Sequence, residues 1–158
     1  MSRDLVVVWA GRHRRNEWET LCEPLKRRIS RHLRIREVAV KPKAGGGDSE
    51  RQRAEADALL AAVPQGAWTV ALDRKGKMRS SEELATWIQN RIEDWPGPLV
   101  FLLGSDRGLS KSVLAQTRER MSFGPLTLPH ELARLVLLEQ LYRGLAINAG
   151  IKYHRVPL

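Results

Sequence analysis

Chemistry in this 158-residue chain could reside in only a few places. Gly104, Ser105, Asp106, Arg107 and Gly108 follow directly on an apolar run. A glycine-bearing turn at the carboxyl end of a strand lets backbone approach a ligand closely. The turn has neither the Gly-Lys-Ser/Thr ending of a phosphate-binding loop nor the Gly-x-Gly-x-x-Gly dinucleotide fingerprint, so it marks either a different ligand or a tight strand-to-helix turn. Leu126, Thr127, Leu128 and Pro129 lead into His130, and Tyr153, His154 and Arg155 stand close to the last residue. A histidine beside a proline is commonly a helix-start or packing residue, and a terminal Tyr-His-Arg a frayed tail.

Other reactive residues read as structural. His13, His32, His130, His154 and Cys22 lack the close spacing of metal ligands, so no metal site is expected. Cys22 lies on an apolar helical stripe, where a buried inert thiol is expected rather than a nucleophile. No Gly-x-Ser-x-Gly elbow occurs, and Gly45, Gly46 and Gly47 read as a flexible loop.

The elements that must position these residues alternate. Apolar, β-branched runs predict strands at 5–9, 37–40, 68–73 and 99–103, with a short one near 121–123. Between them, Asn16 with Glu19 and Ser80 with Glu83 have capping-box spacing, and Ser49 with Gln52 and Ser110 can cap two further helices. Pro24 should kink the first helix or delay its start. The helix opened by Ser110 is expected to reach about 120, and the last helix to span about 131–149. Strands alternating with helices predict an α/β domain with a mostly parallel sheet and helices on both faces. With no repeat and no dividing linker, residues 1–158 read as a single domain.

Composition narrows the partners. The chain carries 27 Lys plus Arg against 18 Asp plus Glu, a formal charge of +9, which attracts phosphate-rich partners. Basic residues are densest at Arg12, Arg14 and Arg15 and then at Lys26, Arg27, Arg28, Arg31, Arg34 and Arg36, where an RNA-contacting face and a solvated one are equally plausible. One cysteine and no apolar leader point to the cytoplasm, and the longest apolar stretch is too polar to span a membrane.

Taken together, Leu72 with Asp73, Leu102, Leu103 and Gly104 with Gly108, Leu109 and Ser110, the Leu-Thr-Leu-Pro-His of 126–130, Leu141, Tyr142 and Arg143, and the terminal Tyr153, His154 and Arg155 resemble the RlmH family of ribosomal RNA large-subunit methyltransferases, of the SPOUT class. The resemblance spans essentially the whole chain. It implies a SPOUT-type fold with a C-terminal trefoil knot, a homodimer, and methyl transfer from S-adenosylmethionine to N3 of a pseudouridine in the helix 69 loop of 23S rRNA, with the assembled ribosome as acceptor. Carried across residue by residue, it places Leu72, Gly104, Phe123, Gly124, Pro125, Leu126, Thr127 and Leu128 at the cofactor. His130, Tyr153, His154 and Arg155 would then lie near the acceptor, with His130 or His154 assisting deprotonation and Arg155 meeting phosphate or the developing anion. Two departures stand out. Ser105 replaces the second glycine of the family's turn and Arg107 occupies a position often acidic, while Val156, Pro157 and Leu158 extend the chain past the terminal arginine. A SPOUT enzyme acting on another RNA such as tRNA, and a non-enzymatic basic RNA-binding protein, are the competing readings.

Overall fold

The computed structural model describes residues 3–12, 16–41 and 45–155. His13, Arg14, Arg15 and the Val156, Pro157 and Leu158 extension lie outside the described residues. The chain alternates strand and helix: β1 Asp4–Ala10, α1 Glu17–Ile29, β2 Arg34–Val40, α2 Asp48–Ala61, β3 Trp68–Met78, α3 Ser81–Asp94, β4 Leu99–Leu103, α4 Lys111–Ala115, β5 Glu119–Ser122 and α5 His130–Asn148. The strands form one sheet in the order β2-β1-β4-β3-β5, and every pairing is parallel.

Side chains alternate across the sheet, so central strands must be apolar at every position. Leu5, Val7 and Trp9 of β1, with Leu99, Phe101 and Leu103 of β4, pack against Cys22, Leu25 and Ile29 of α1, Leu84 and Ile88 of α3, and the α5 leucines. Val6, Val8, Ala10, Val100 and Leu102 point to the opposite face, where Leu59 of α2 covers them. Helices therefore clothe both faces. Gly144 lets α3 and α5 approach closely, because a Cβ there would stand 2.8 Å from Ile88 Cδ1. Ser81 Oγ donates to Gln140 Oε1 at 2.6 Å and Asn148 Nδ2 to the Ala85 carbonyl at 2.9 Å, which pins the two helices together.

Local signals set several helix starts. Asn16 Oδ1 accepts from the Glu19 amide at 3.1 Å, but the Glu19 carboxylate reaches out to Arg134 and Lys26. The Ser80 and Glu83 box closes in both directions. Elsewhere the structure corrects the sequence reading. α1 starts at Glu17 and continues through Pro24, so the proline does not delay its start. α2 begins at Asp48 after Gly47 rather than on a Ser49 cap, and Asp48 carries an ion pair to Arg107. α4 ends at Ala115, because the Arg118 amide is drawn to Thr69 Oγ1 at 3.0 Å and the chain enters β5 at Glu119. β3 also continues past Asp73 to Met78.

Candidate active site

In a parallel sheet the carboxyl ends of the strands share one edge, and ligands bind in the crevice just beyond it. Here the segments following β4 and β5, with an irregularity in β3, enclose a cavity of about 420 Å³. After β4 the chain turns at once: the Gly108 amide donates to the Ser105 carbonyl at 2.8 Å, and Gly108 takes φ +73°. Gly104 is required for that closure, since a Cβ would stand 2.6 Å from the Gly108 carbonyl carbon. Ser105, by contrast, has no left-handed backbone, so the hydroxymethyl that replaces a glycine imposes no strain. Its amide donates to Glu55 Oε1 at 3.2 Å. Arg107, in the other departing position, pairs with Asp48 at 2.8 Å, and this hydrogen bond and positive charge hold the Asp48 carboxyl below its ordinary value.

The segment after β5 forms the second wall. Gly124 takes φ +109°, and its amide donates to Ser122 Oγ at 2.9 Å, which turns the chain toward Leu126 and Leu128. Arg74 Nη1 donates to Thr127 Oγ1 at 3.2 Å and ties this wall to β3. Of the residues assigned to the cofactor, Leu72, Gly104, Phe123, Gly124, Leu126, Thr127 and Leu128 line the cavity and Pro125 does not. His130, the first residue of α5, reaches the same cavity. Its ring lies 6.3 Å from that of Trp9, and the Arg134 guanidinium stacks 4.5 Å over the other partner of that pair, Trp9.

Tyr153, His154 and Arg155 are placed elsewhere. After α5 the chain folds back along the helix, and Tyr153 Oη donates to Glu139 Oε1 at 3.2 Å. Burial, then the Glu139 charge, pushes the Tyr153 phenol above its ordinary value. His154 Nδ1 sits 3.2 Å from Arg143 Nη1, and its Nε2 sits 2.8 Å from Glu82 Oε1. That pairing suits the tautomer with the proton on Nε2. Arg155 is exposed. Glu139 stands nine residues along α5 from His130, roughly 14 Å at the helical rise, so the cavity of one chain holds His130 without its own tail.

Several cavity residues were not singled out from sequence. Arg74, Met121 and Ala133 line it, and Trp9 and Arg134 stand behind His130. The Arg-Lys-Gly-Lys run of 74–77 was the available signal for Arg74. Nothing local announces the others. No group of His, Cys, Asp and Glu among the described residues could hold a metal ion. Cys22 is fully buried, and burial pushes its thiol up to about 11, as expected of an inert structural cysteine.

A family model described as "Predicted SPOUT methyltransferase" matches residues 4–154, nearly the whole of this parallel α/β fold. The chain belongs to that SPOUT methyltransferase family, a class of methyl-transferring enzymes. Among curated proteins it is similar to the ribosomal RNA large subunit methyltransferase H of Rubrobacter xylanophilus, 43% identical over 161 residues that cover 98% of this chain and 99% of the relative. The protein of the same name from Solidesulfovibrio magneticus is 37% identical over 152 residues, 96% of this chain and 99% of its own. A solved structure of a probable methylase family protein from Haemophilus influenzae shares the fold, with a TM-score of 0.54 at 13% identity over 99% of this chain and 72% of that one.

Proposed function

We propose that this chain methylates ribosomal RNA, transferring the methyl group of S-adenosylmethionine to N3 of a pseudouridine in the helix 69 loop of 23S rRNA within the assembled ribosome. One observation carries the reading. In a chain whose relatives along its whole length are named ribosomal RNA large subunit methyltransferase H, the cavity at the strand carboxyl ends is walled by the residues matched to the cofactor and has His130 at its edge.

The cavity suits the cofactor. Its volume falls in the range of about 300–1,000 Å³ usual for small-molecule sites. Leu72, Leu103, Leu109, Leu126 and Leu128 offer apolar surface for an adenine, while Asp73, Asp106, Arg74 and Arg107 bring both signs of charge to a ligand that itself carries both. When bound, S-adenosylmethionine supplies an electrophilic methyl on sulfonium sulfur. The protein must hold the acceptor nitrogen in line and remove its proton. Backbone groups of 104–108 and 123–128 bind and orient, and the leucines exclude water. His130 accepts the N3 proton, and Arg155 meets a phosphate or the anionic base. Positioning supplies a large part of such a rate, and the base about 10²–10⁴-fold.

The same reading includes a homodimer, the C-terminal trefoil knot and a cytoplasmic location. Leu21 on α1 is 53% exposed, and Leu132, Leu135 and Val136 on α5 are half-buried, an apolar surface that a second copy would cover. The position of the tail supports the dimer too, because Tyr153, His154 and Arg155 lie outside the cavity of their own chain. No helix among the described residues is long and apolar enough to cross a membrane.

Calorimetric titration with S-adenosylmethionine, followed by mass spectrometry of rRNA from ribosomes incubated with the chain, tests the reading. Binding together with a new methyl on the helix 69 pseudouridine is the expected result. Methylation confined to tRNA, or no binding at millimolar cofactor, would overturn it.

A further inference from the structure

The basic side chains at the end of α1 and the start of β2, among those read from sequence as candidate RNA contacts, lie at the far end of the sheet. α1 leaves β1 at the carboxyl edge and returns toward the start of β2, so Arg27, Arg28 and Arg31, with Arg34 opening β2, stand at the amino edge, away from the cavity of their own chain. Lys26 is already committed to Glu37 at 2.9 Å, Glu23 at 2.7 Å and Glu19 at 3.4 Å. Arg107, Arg134 and Arg143 are similarly paired with carboxylates.

A different basic segment borders the cavity. In the pairing of β3 with β5, Leu72 and Lys77 both register with Met121, so residues 73–76 leave the ladder as a bulge. Bulges next to active sites re-aim side chains. Gly76 anchors this one against β5: a Cβ there would stand 2.6 Å from both the Arg120 carbonyl carbon and the Met121 nitrogen. Asp73 and Arg74 consequently turn into the cavity wall, Asp73 lying 3.9 Å from Arg120. Lys75 and Lys77 are exposed beside them, with Met78 also 64% exposed. Among the described residues neither lysine ammonium has an ion-pair or hydrogen-bond partner, whereas the next basic residue, Arg79, is held by Glu119 at 3.1 Å.

We propose that Lys75 and Lys77 hold phosphates of the RNA strand flanking the target nucleotide and so position its base over the cavity. Phosphate contacts fix register without reading sequence. A strand-anchored bulge presents its cations with little backbone freedom to lose on binding. These are positioning residues, acting on the acceptor and not on the methyl group. The assignment rests on the rRNA methyltransferase reading above.

The test compares the full chain with Lys75→Ala, Lys77→Ala and the double variant on intact unmethylated ribosomes across a range of salt. The double variant is expected to lose about tenfold or more in kcat/KM through KM, with kcat little changed. The slope of log kcat/KM against log salt should fall by roughly 0.7–0.9 for each phosphate contact removed. S-adenosylmethionine affinity and the unfolding midpoint should match the unaltered chain, and Lys→Arg at both positions should restore most of the loss. Unaltered protein that turns over ribosomes, beside a double variant with the same KM and salt slope, would overturn the lysine assignment alone. Failure of the unaltered protein to methylate ribosomes while binding cofactor would overturn the functional reading and the lysine assignment with it.

Discussion

The Arg134 guanidinium donates from Nε and Nη2 to the two carboxylate oxygens of Glu37, at 2.7 and 2.6 Å, across 97 residues of chain. Both side chains are 2% exposed. This fork joins α5 to the edge strand β2, and Glu19 at 3.1 Å and Lys26 complete the charge balance. The same guanidinium covers Trp9, whose ring adjoins His130, so a buried ion cluster stands directly behind the cavity.

Removing one member of such a pair leaves an uncompensated buried charge. Arg134→Ala should therefore destabilise the fold by about 3–5 kcal/mol, whereas Arg134→Met combined with Glu37→Leu should recover much of the loss, as apolar replacement of a whole buried pair often does. Denaturant unfolding of the three proteins measures both effects.

The cluster also sets a pH dependence. Burial alone would raise the Glu37 carboxyl, yet the hydrogen bonds and charge of Arg134, then those of Lys26, hold it below 4.5. Glu19 is lowered in the same way, against its own burial. A carboxylate depressed in the folded state adds stability that is fully present above about pH 4.5 and fades as pH falls through the folded value. Unfolding midpoints should consequently drop steeply below pH 4.5, and Glu37→Gln, less stable at pH 7, should show a flatter acid limb.

The proposed site residues fall into two groups, His130 at the cavity and His154 on the tail. His130→Ala is expected to cut the single-turnover methylation rate about 10²-fold or more, and His154→Ala to cut it as well although His154 lies outside the cavity of its own chain. If the tail serves a second copy's cavity, mixing the two inactive variants should restore part of the activity through mixed dimers. Mixed samples no faster than either variant alone would refute the dimeric division of labour.

Cys22 should be chemically silent. Its thiol, pushed up to about 11 by burial, is almost wholly protonated at pH 8, and the side chain is fully covered. Iodoacetamide is expected to label it only in denaturant, at a rate that follows unfolding, as intact-mass spectrometry would record.

Legibility from sequence followed the range of the forces involved. Continuous apolar runs identified β1 and β4 because a strand buried on both faces has no polar position to offer. The Ser80 and Glu83 box marked the start of α3 because its hydrogen bonds span only three residues. The cavity walls were equally readable, since the turn of Gly104 to Gly108 and the segment leading to His130 are contiguous. The sequence pattern ends β3 at Asp73 and misses the bulge beyond it, because that shape depends on Gly76 meeting the backbone of Arg120, distant in sequence. The length of α4 was overestimated for the same kind of reason, its end being set by Thr69.

The sequence by itself determined the alternating α/β order, the parallel sheet and the residue types that wall the cavity. Tertiary structure alone decided which basic residues border that cavity, what supports His130, and that Tyr153, His154 and Arg155 rest against α5 instead of the cavity beside it. Helical and strand preferences act over a few residues, whereas the pairing of Arg134 with Glu37 and the seating of Gly76 on β5 exist only once distant segments have packed together.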